Sequence, residues 1–233
     1  MRKVAIMQPY FFPYLGYWQM LNAVDKFVLY DDVNFIKGGW INRNNMLING
    51  FAHLFTLPLL ESSPNKLINE IKITNNQKIK VKLLRSFEES YSKAPFKDKI
   101  IPLLSKIIMQ KEDRLHLFLY HQFEKIFEYL QINTEIILSS HIEKDNYLHG
   151  QDKIIEINKQ LGSTQYINAI GGQALYDKAE FAKNGIELYF IKMNEVKYKQ
   201  FDNEFVPNLS FIDVLMFNDK AKVRELLGKY KLI

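Results

Sequence analysis

The sequence has no cysteine, only two tryptophans, and no low-complexity segment among its 233 residues. Without cysteine the chain forms no disulfide, no thiolate metal site and no cysteine nucleophile. It also lacks the roughly 18 consecutive apolar residues of a membrane-spanning helix. The N-terminus begins with a strand pattern and not with a charged and then apolar leader. We therefore expect an ordered cytoplasmic protein with no membrane span.

The net charge of +5 comes from scattered lysines, which are densest in the ranges 78–82, 93–111 and 192–199. These lysines suit an anionic substrate such as a nucleotide or a phosphosugar, and they suit a solvated helix face equally well. No arginine-rich stripe or nucleic-acid motif accompanies them, so we do not expect a nucleic-acid partner.

Strand and helix patterns alternate at both ends of the chain. Residues 2–7, 16–23 and 27–30 read as strand, helix and strand, and residues 164–170, 174–183 and 186–191 repeat this order. Such units build parallel sheets. Asn49-Gly50 between apolar runs predicts a β-hairpin over residues 46–57, because both residues tolerate the positive φ of a type I′ turn. Residues 71–73 alternate like an additional strand at the sheet edge.

Helical periodicity dominates residues 77–131, which we predict to be a helical cap or insertion on the sheet. The predicted fold is a single α/β domain over residues 1–233. It contains a mostly parallel open sheet, Rossmann-like or HUP-like, with a β-hairpin and the helical insertion. His116 and His121 are five residues apart in a predicted helix and do not share a face well. We interpret them as structural or surface histidines and predict no metal site.

The run from Met7 to Trp18 joins the first strand to the first helix, and contains Pro9, Pro13 and several aromatic residues. The two prolines restrict φ, so the turn should be stiff. It is either a packed corner or the wall of a pocket. We predict Gln8, Tyr10, Tyr14 and Gly16 to face a ligand, and Phe11, Leu15 and Trp18 to be core residues.

Two carboxylates, Asp31 and Asp32, follow the second strand directly. In open α/β sheets ligands bind outside the carboxyl ends of the strands, so both are candidate catalytic residues. Because adjacent strand residues point to opposite faces, only one of the two is expected to face the crevice. The segment 33–45 then has the composition of a binding loop or of a turn-rich connector. Its candidate substrate-binding residues are Lys37, Trp40, Asn42, Arg43 and Asn44.

Two later segments supply further candidates for substrate binding. Gly171 and Gly172 end a predicted strand before a predicted helix, where free backbone N–H groups can bind a phosphate or a carboxylate. The pair matches neither a Walker loop nor a GxGxxG motif and is weak as a phosphate motif. Ser210 precedes or caps a predicted helix that contains Asp213.

Together these motifs resemble the WbqC-like protein family. The resemblance rests on Gln8 to Tyr17, Asp31-Asp32-Val33, Trp40 to Asn44, Gly171-Gly172 before Tyr176, and Leu209 to Asp213. It spans nearly the whole chain and implies a role in bacterial surface-polysaccharide (O-antigen) biosynthesis. The segment from Pro13 to Tyr17 is also similar to the start of HIGH-type nucleotidyltransferases. Pro13 and Tyr17 stand where histidines are expected, so adenylyl transfer is in doubt.

Three functions follow as hypotheses. The first is a transferase that moves an acyl or aminoacyl group to a nucleotide-linked amino sugar, with Asp31 or Asp32 as a general base or as the group that holds the sugar hydroxyls. The second is a non-catalytic sugar- or nucleotide-binding protein of the same pathway, and the third is a degenerate HIGH-type enzyme. All three take a small-molecule substrate, and the sequence identifies no cofactor and no oligomeric state.

Overall fold

A computed structural model describes residues 2–202 and 204–233. The strands are β1 (Lys3–Met7), β2 (Lys26–Leu29), β3 (Arg43–Ile48), β4 (Phe51–Thr56), β5 (Leu59–Leu60), β6 (Lys72–Ile73), β7 (Glu135–Leu138), β8 (Gln165–Ala169), β9 (Glu187–Met193) and β10 (Tyr230–Leu232). The α-helices are α1 (Leu15–Asn22), α2 (Gln77–Ser90), α3 (Lys97–Ile108), α4 (Leu115–Leu130), α5 (Gly150–Gln160), α6 (Lys178–Lys183), α7 (Phe211–Phe217) and α8 (Lys220–Leu227).

Six strands form the central sheet, in the order β10-β9-β8-β1-β2-β7. All neighbouring pairs are parallel except β10 and β9, so the prediction of a mostly parallel α/β sheet is confirmed. The chain moves outward from β1 through β2 to β7, and then returns to β8 on the other side of β1. The strand order therefore reverses between β1 and β8.

Successive side chains of the inner strands point to opposite faces of the sheet, so the strands contribute to two separate cores. Ala5 and Phe27 face a large core that contains residues of α1, α2, α3, α4, α7 and α8. Val4, Ile6 and Val28 face a smaller core that contains residues of α5 and α6. Parallel strands covered on both faces are expected to be continuously apolar, as β1 and β2 are. Helices α2 to α4 fill the predicted helical segment and pack into the larger core.

The hairpin forms as predicted, and β3 and β4 pair over their full length. Asn49 and Gly50 at its turn have φ of 50° and 82°. Strand β3 already begins at Arg43, so the end of the predicted binding loop is extended strand. The backbone of residues 43–45 therefore pairs with β4 and does not form a free loop.

Two other expectations differ from the structure, and one strand was not expected. Residues 71–73 do not join the central sheet, because Ile71 and Ile73 are buried in the larger core and β6 pairs with β5. The segment 174–183 is not one helix: a 3₁₀ turn covers Ile170–Leu175, and α6 begins only after Asp177, which caps it. Strand β10 was not predicted. Within the described residues, no helix has both the length and the apolar content needed to cross a membrane.

Candidate functional site

The carboxyl edge of the sheet brings Asp31 and Asp32 together with the end of β7. Asp31 is fully buried, and its two carboxylate oxygens accept hydrogen bonds from the Ser140 backbone N–H (2.9 Å) and the Ser140 hydroxyl (2.7 Å). It therefore ties the end of β2 to the segment after β7. With both oxygens already engaged, Asp31 is placed as a structural group of the edge.

Asp32 points instead into a cavity of about 770 Å³, which we call the lysine cavity. Its Oδ2 lies 2.9 Å from Lys144 Nζ and 3.5 Å from Lys153 Nζ. Its Oδ1 is buried, and among the described residues neither this oxygen nor the nearby Ser139 hydroxyl forms a hydrogen bond of normal geometry. The cavity is lined by Tyr30, Asp32, Val33, Asn34, Leu67, Ser140, Ile142, Lys144, Asn146, His149, Gly150, Lys153, Ile154 and Tyr176.

The charges of the lysine cavity keep Asp32 ionised. Burial alone would raise its pKa, but the Ser139 hydroxyl and the ammonium groups of Lys144 and Lys153 outweigh burial and hold the pKa below its usual value. Lys144 Nζ also donates to the carbonyl oxygens of Ser139 and Ile142. Lys153 Nζ pairs only with Asp32 among the described residues and lies 5.5 Å from the centre of the Tyr30 ring. Lys153 thus retains hydrogen-bonding capacity toward the cavity.

The sequence reasoning missed Lys144, His149, Lys153 and Tyr176. One usable signal was Lys153 itself, which occupies the apolar face of α5 beside Ile154 and Ile157, all three being buried. A lysine in an apolar stripe indicates a paired or functional charge. Lys144 has no such signal, because it lies in an aperiodic loop that only the tertiary structure folds back onto Asp32.

The aromatic turn after β1 forms a second cavity of about 320 Å³, which we call the tyrosine cavity. The turn leads to α1 on the larger-core face of the sheet, whereas α5 borders the lysine cavity from the other face. The sequence predicts a single crevice; the structure divides its candidate residues between two cavities. The tyrosine cavity is lined by Tyr10, Pro13, Tyr14, Trp40, Asn44 and Asn208.

Buried polar contacts hold the turn in place. The Gln122 side chain of α4 accepts the Phe12 N–H (2.9 Å) and donates to the Tyr10 carbonyl oxygen (3.1 Å). Asn44 Nδ2 donates to the carbonyl oxygens of Phe11 and Phe12. Phe12 has a φ of 43°, in the left-handed region, so these contacts hold a strained backbone. Phe11, Leu15 and Trp18 lie in the core.

Two predicted residues support the turn without lining either cavity. The Gln8 carbonyl oxygen accepts a hydrogen bond from the Tyr17 hydroxyl (2.8 Å). Gly16 leaves room for the Tyr14 ring, because a Cβ at this position would lie 2.5 Å from Tyr14 Cε2. The absent side chain thus positions Tyr14 against the start of α1.

Three residues of the predicted binding segment lie outside both cavities. Lys37 is exposed. Asn42 Nδ2 donates to the Leu57 carbonyl oxygen (2.9 Å), which supports the hairpin. Arg43 donates to the carbonyl oxygens of Gly38 and Gly39, and its Cζ lies 6.0 Å from the centre of the Trp40 ring. Arg43 is therefore placed to hold the loop that carries Trp40.

The remaining predicted binding residues, Gly171, Gly172, Ser210 and Asp213, also lie outside both cavities. Gly171 and Gly172 lie in the 3₁₀ turn and not at the start of α6, so the predicted phosphate geometry does not form there. Ser210 is buried, caps α7 and pairs with Tyr14 through an isolated bridge. Asp213 accepts hydrogen bonds from Tyr91, Tyr198 and Gln200. Burial raises its pKa to about 6, although these three hydrogen bonds act in the opposite direction.

The histidines of α4 do not join these cavities. His116 is buried, and its Nδ1 has no hydrogen-bond partner among the described residues. Burial lowers its pKa, and the nearby Asp31 carboxylate only partly offsets this effect. His121 lies 3.8 Å from Glu124 on the same helix. In the described ranges no group of three His, Asp or Glu residues is arranged to hold a metal ion.

Comparisons with known proteins agree with the residues that suggested a family. The model of the WbqC-like protein family matches residues 8–225. The chain is also similar to the "Uncharacterized protein Rv1507c" of Mycobacterium tuberculosis, with 26% identity over 239 residues that cover 97% of this chain and 98% of the relative. No solved structure matches the chain.

Proposed function

This protein belongs to the WbqC-like protein family, and from that premise we propose that it is a transferase of bacterial surface-polysaccharide (O-antigen) biosynthesis. It transfers an acyl or aminoacyl group to a nucleotide-linked amino sugar that binds in the lysine cavity. The observation that carries this proposal is the Asp32 carboxylate that faces two lysines in this cavity, with a buried Oδ1 that accepts no hydrogen bond of normal geometry from the described residues.

The charge balance of the lysine cavity supports a phosphorylated substrate. Among the described residues that line it, Asp32 is the only acidic one, and it faces both Lys144 and Lys153. Helix α5 begins at this cavity, and His149 at its N-cap provides no side-chain hydrogen bond to the first-turn N–H groups. Free N–H groups, the helix dipole and the remaining donors of Lys153 all favour an anion. The diphosphate of a nucleotide sugar fits this chemistry.

Asp32 supports a role at the amino group of the acceptor. A buried acceptor oxygen without a partner is costly, so a ligand N–H or O–H that reaches Oδ1 gains a charge-assisted hydrogen bond. In acyl transfer the amine nitrogen forms a bond to the acyl carbon and the bond from that carbon to the donor breaks. The donor group leaves with the electron pair of that bond and takes up the proton that the nitrogen loses. An ionised Asp32 stabilises the positive charge that develops on the nitrogen before that proton leaves.

The strand order supports assignment to the doubly wound Rossmann-like or HUP-like class. Numbered along the chain, the parallel strands have the order 3-2-1-4-5, with the reversal between β1 and β8. In such sheets ligands bind at the carboxyl edge near the reversal. The lysine cavity is lined from the ends of β2 and β7 and by Tyr176, which follows β8.

A binding and turnover experiment tests the proposal. We expect nucleoside-diphosphate amino sugars to raise Tm, since a ligand at 100 times its Kd adds about 2.7 kcal/mol of stability. Lys153→Met should abolish this shift. With an acyl or aminoacyl donor present, mass spectrometry should detect the modified sugar, and Asp32→Asn should slow its formation by at least about 100-fold.

The matched control is Lys183→Met, because Lys183 is an exposed lysine of α6 that pairs with Glu180. It should keep both the shift and the turnover. If no nucleotide sugar shifts Tm, or if Lys153→Met and Lys183→Met behave alike, the lysine cavity is not the substrate site.

A second candidate, a non-catalytic nucleotide-sugar-binding protein, is favoured by one observation. The lowered pKa of Asp32 makes it a weak proton acceptor, which suits recognition better than general base catalysis. In that case the nucleotide sugar raises Tm and Lys153→Met removes the shift, but no donor among acyl-CoA or ATP with amino acids gives a modified sugar.

A further inference from the structure

The tyrosine cavity differs from the lysine cavity because the described part of the chain contributes no charged residue to its lining. Tyr10 and Tyr14 contribute phenol rings, Trp40 an indole ring and Asn208 an amide. Its volume of about 320 Å³ lies at the lower end of the roughly 300–1,000 Å³ that is usual for small-molecule sites. An ionic ligand would find no counter-charge in this lining, so the occupant is a small neutral group.

The polar groups of this cavity are free to bind. Among the described residues, the hydroxyls of Tyr10 and Tyr14, the Trp40 Nε1–H and the Asn208 side-chain amide make no hydrogen bond. The side chain of Asn44, by contrast, is already committed to the aromatic turn. Two hydroxyls, an indole N–H and an amide therefore belong to the residues that line this small aromatic space.

The wall is also preformed. The Tyr10 ring packs 5.4 Å from the Tyr17 ring, and Tyr14 lies in the space that Gly16 leaves open. The Trp40 carbonyl oxygen accepts the Phe11 N–H at 3.0 Å. A ligand does not have to order these groups, which reduces the entropic cost of binding. Even so, Trp40 is 43% exposed, which is unusual for so large an apolar side chain.

We propose that the tyrosine cavity is a second binding site, for an uncharged hexose ring, separate from the phosphate-binding lysine cavity. The carbon face of a hexose packs on an aromatic ring, and its hydroxyls point in several directions, where phenol, indole and amide groups can meet them. A nucleobase carries its polar atoms only in its own plane, which these scattered groups match less well. The role of this sugar as the second substrate or as the growing glycan rests on the proposed function, but its binding does not.

Tryptophan fluorescence gives a direct test on the whole protein. The chain has only two tryptophans, and Trp18 is fully buried, so iodide quenches Trp40 selectively. The probes are methyl glycosides of glucose, galactose, mannose and fucose, with N-acetylglucosamine, adenosine and uridine. We expect at least one sugar at 100 mM to reduce the iodide quenching constant by twofold or more.

Two conservative variants locate the effect. Tyr14→Phe keeps the ring but removes the hydroxyl, and should weaken sugar binding by about fivefold to tenfold, as expected for the loss of one hydrogen bond. Tyr147→Phe is the matched control, because Tyr147 is 91% exposed and does not line the tyrosine cavity. Equal sugar affinity in these two variants would overturn the proposal.

Lys153→Met distinguishes the two sites. It should abolish the Tm shift produced by inorganic diphosphate and leave sugar protection of Trp40 unchanged. Loss of both effects would show a single site and overturn the proposal, as would protection by nucleosides alone or by no probe. Sugar protection without any diphosphate or nucleotide-sugar shift would leave this proposal standing and remove the proposed function. A diphosphate or nucleotide-sugar shift without sugar protection would overturn this proposal and leave the proposed function standing.

Discussion

The two cavities lie at the same edge of one sheet, but the chain builds them from opposite kinds of chemistry. The lysine cavity places one carboxylate beside two ammonium groups, and one of its oxygens accepts no hydrogen bond of normal geometry from the described residues. The described residues that line the tyrosine cavity have only aromatic, proline and amide side chains. The two cavities are separate because α5 and α1 border this edge from opposite faces. Under our proposals, this arrangement separates recognition of a charged group from recognition of a neutral ring.

A carboxyl group beside each cavity illustrates the same difference. Against the effect of burial, the Ser139 hydroxyl and two ammonium groups lower the pKa of Asp32. Burial raises the pKa of Asp213 to about 6, because its hydrogen-bond donors among the described residues are neutral and offset burial only in part. The stability from Asp32 is present above the pKa of an unfolded carboxyl and is lost as pH falls through its folded pKa. The stability from Asp213 is present at low pH and is lost as pH rises through about 6.

The largest expected effect comes from removing the carboxylate of the lysine cavity. Asp32→Ala leaves the buried charges of Lys144 and Lys153 without their partner, so we expect a loss of about 3–5 kcal/mol in the free energy of unfolding. Urea denaturation at pH 7 measures it. Asp98→Ala is the control, because the Asp98 side chain is 96% exposed. A loss below about 1 kcal/mol would mean that the lysines are not held by Asp32.

The second prediction concerns the pH dependence that Asp213 contributes. Asp213→Asn removes the titration, so the stability difference between wild type and variant should shift against the wild type as pH rises from 4 to 7. A pKa raised by roughly 2 units corresponds to a change of about 3 kcal/mol over this range. Urea denaturation of both proteins at several pH values measures it, with Asp98→Asn as the control. A constant difference would contradict the raised pKa.

The sequence predicted the parts of the molecule that local pattern determines. The inner strands are continuous apolar runs, and Asn49-Gly50 dictates its turn, so the parallel sheet and the hairpin were both predicted. Strand β10 was missed because its three residues, Tyr-Lys-Leu, carry no alternation that distinguishes an edge strand. The helix expected after Gly171-Gly172 begins later, because the Asp177 cap fixes its start.

The candidate sites were less predictable, since they depend on long-range placement. The position of Asp32 follows from the end of β2, and the reasoning that only one of two adjacent carboxylates faces the crevice needs no tertiary structure. Lys144, in contrast, reaches Asp32 from 112 positions later, out of a loop without periodicity. The division into two cavities depends on which face of the sheet each helix covers, which periodicity along a single segment does not reveal.

The third prediction concerns Gln122, which holds the aromatic turn in place but does not line the tyrosine cavity. Gln122→Met keeps the length of the side chain but leaves the buried Phe12 N–H and the Tyr10 carbonyl oxygen without their partner. We expect a loss of about 1–3 kcal/mol in the free energy of unfolding. Urea denaturation measures the loss, and sugar protection of Trp40 should weaken with it. The same change should not affect the diphosphate shift, which depends on the lysine cavity; a loss of that shift would mean that the two cavities are coupled.

The fourth prediction has the smallest expected effect on stability. It tests whether the shape of the tyrosine cavity can change while the free energy of unfolding stays nearly the same. In Gly16→Ala the new Cβ would lie 2.5 Å from the Tyr14 ring, so the ring must move. Alanine favours a helix over glycine by roughly 0.5–1 kcal/mol, which offsets part of the crowding. We therefore expect stability to change by less than about 1 kcal/mol while sugar protection of Trp40 is lost. Gly171→Ala is the matched control, since a Cβ there meets no atom within 4 Å. If both variants retain sugar protection, the position of the Tyr14 ring does not define the tyrosine cavity, and the contrast between the two cavities would rest on charge alone.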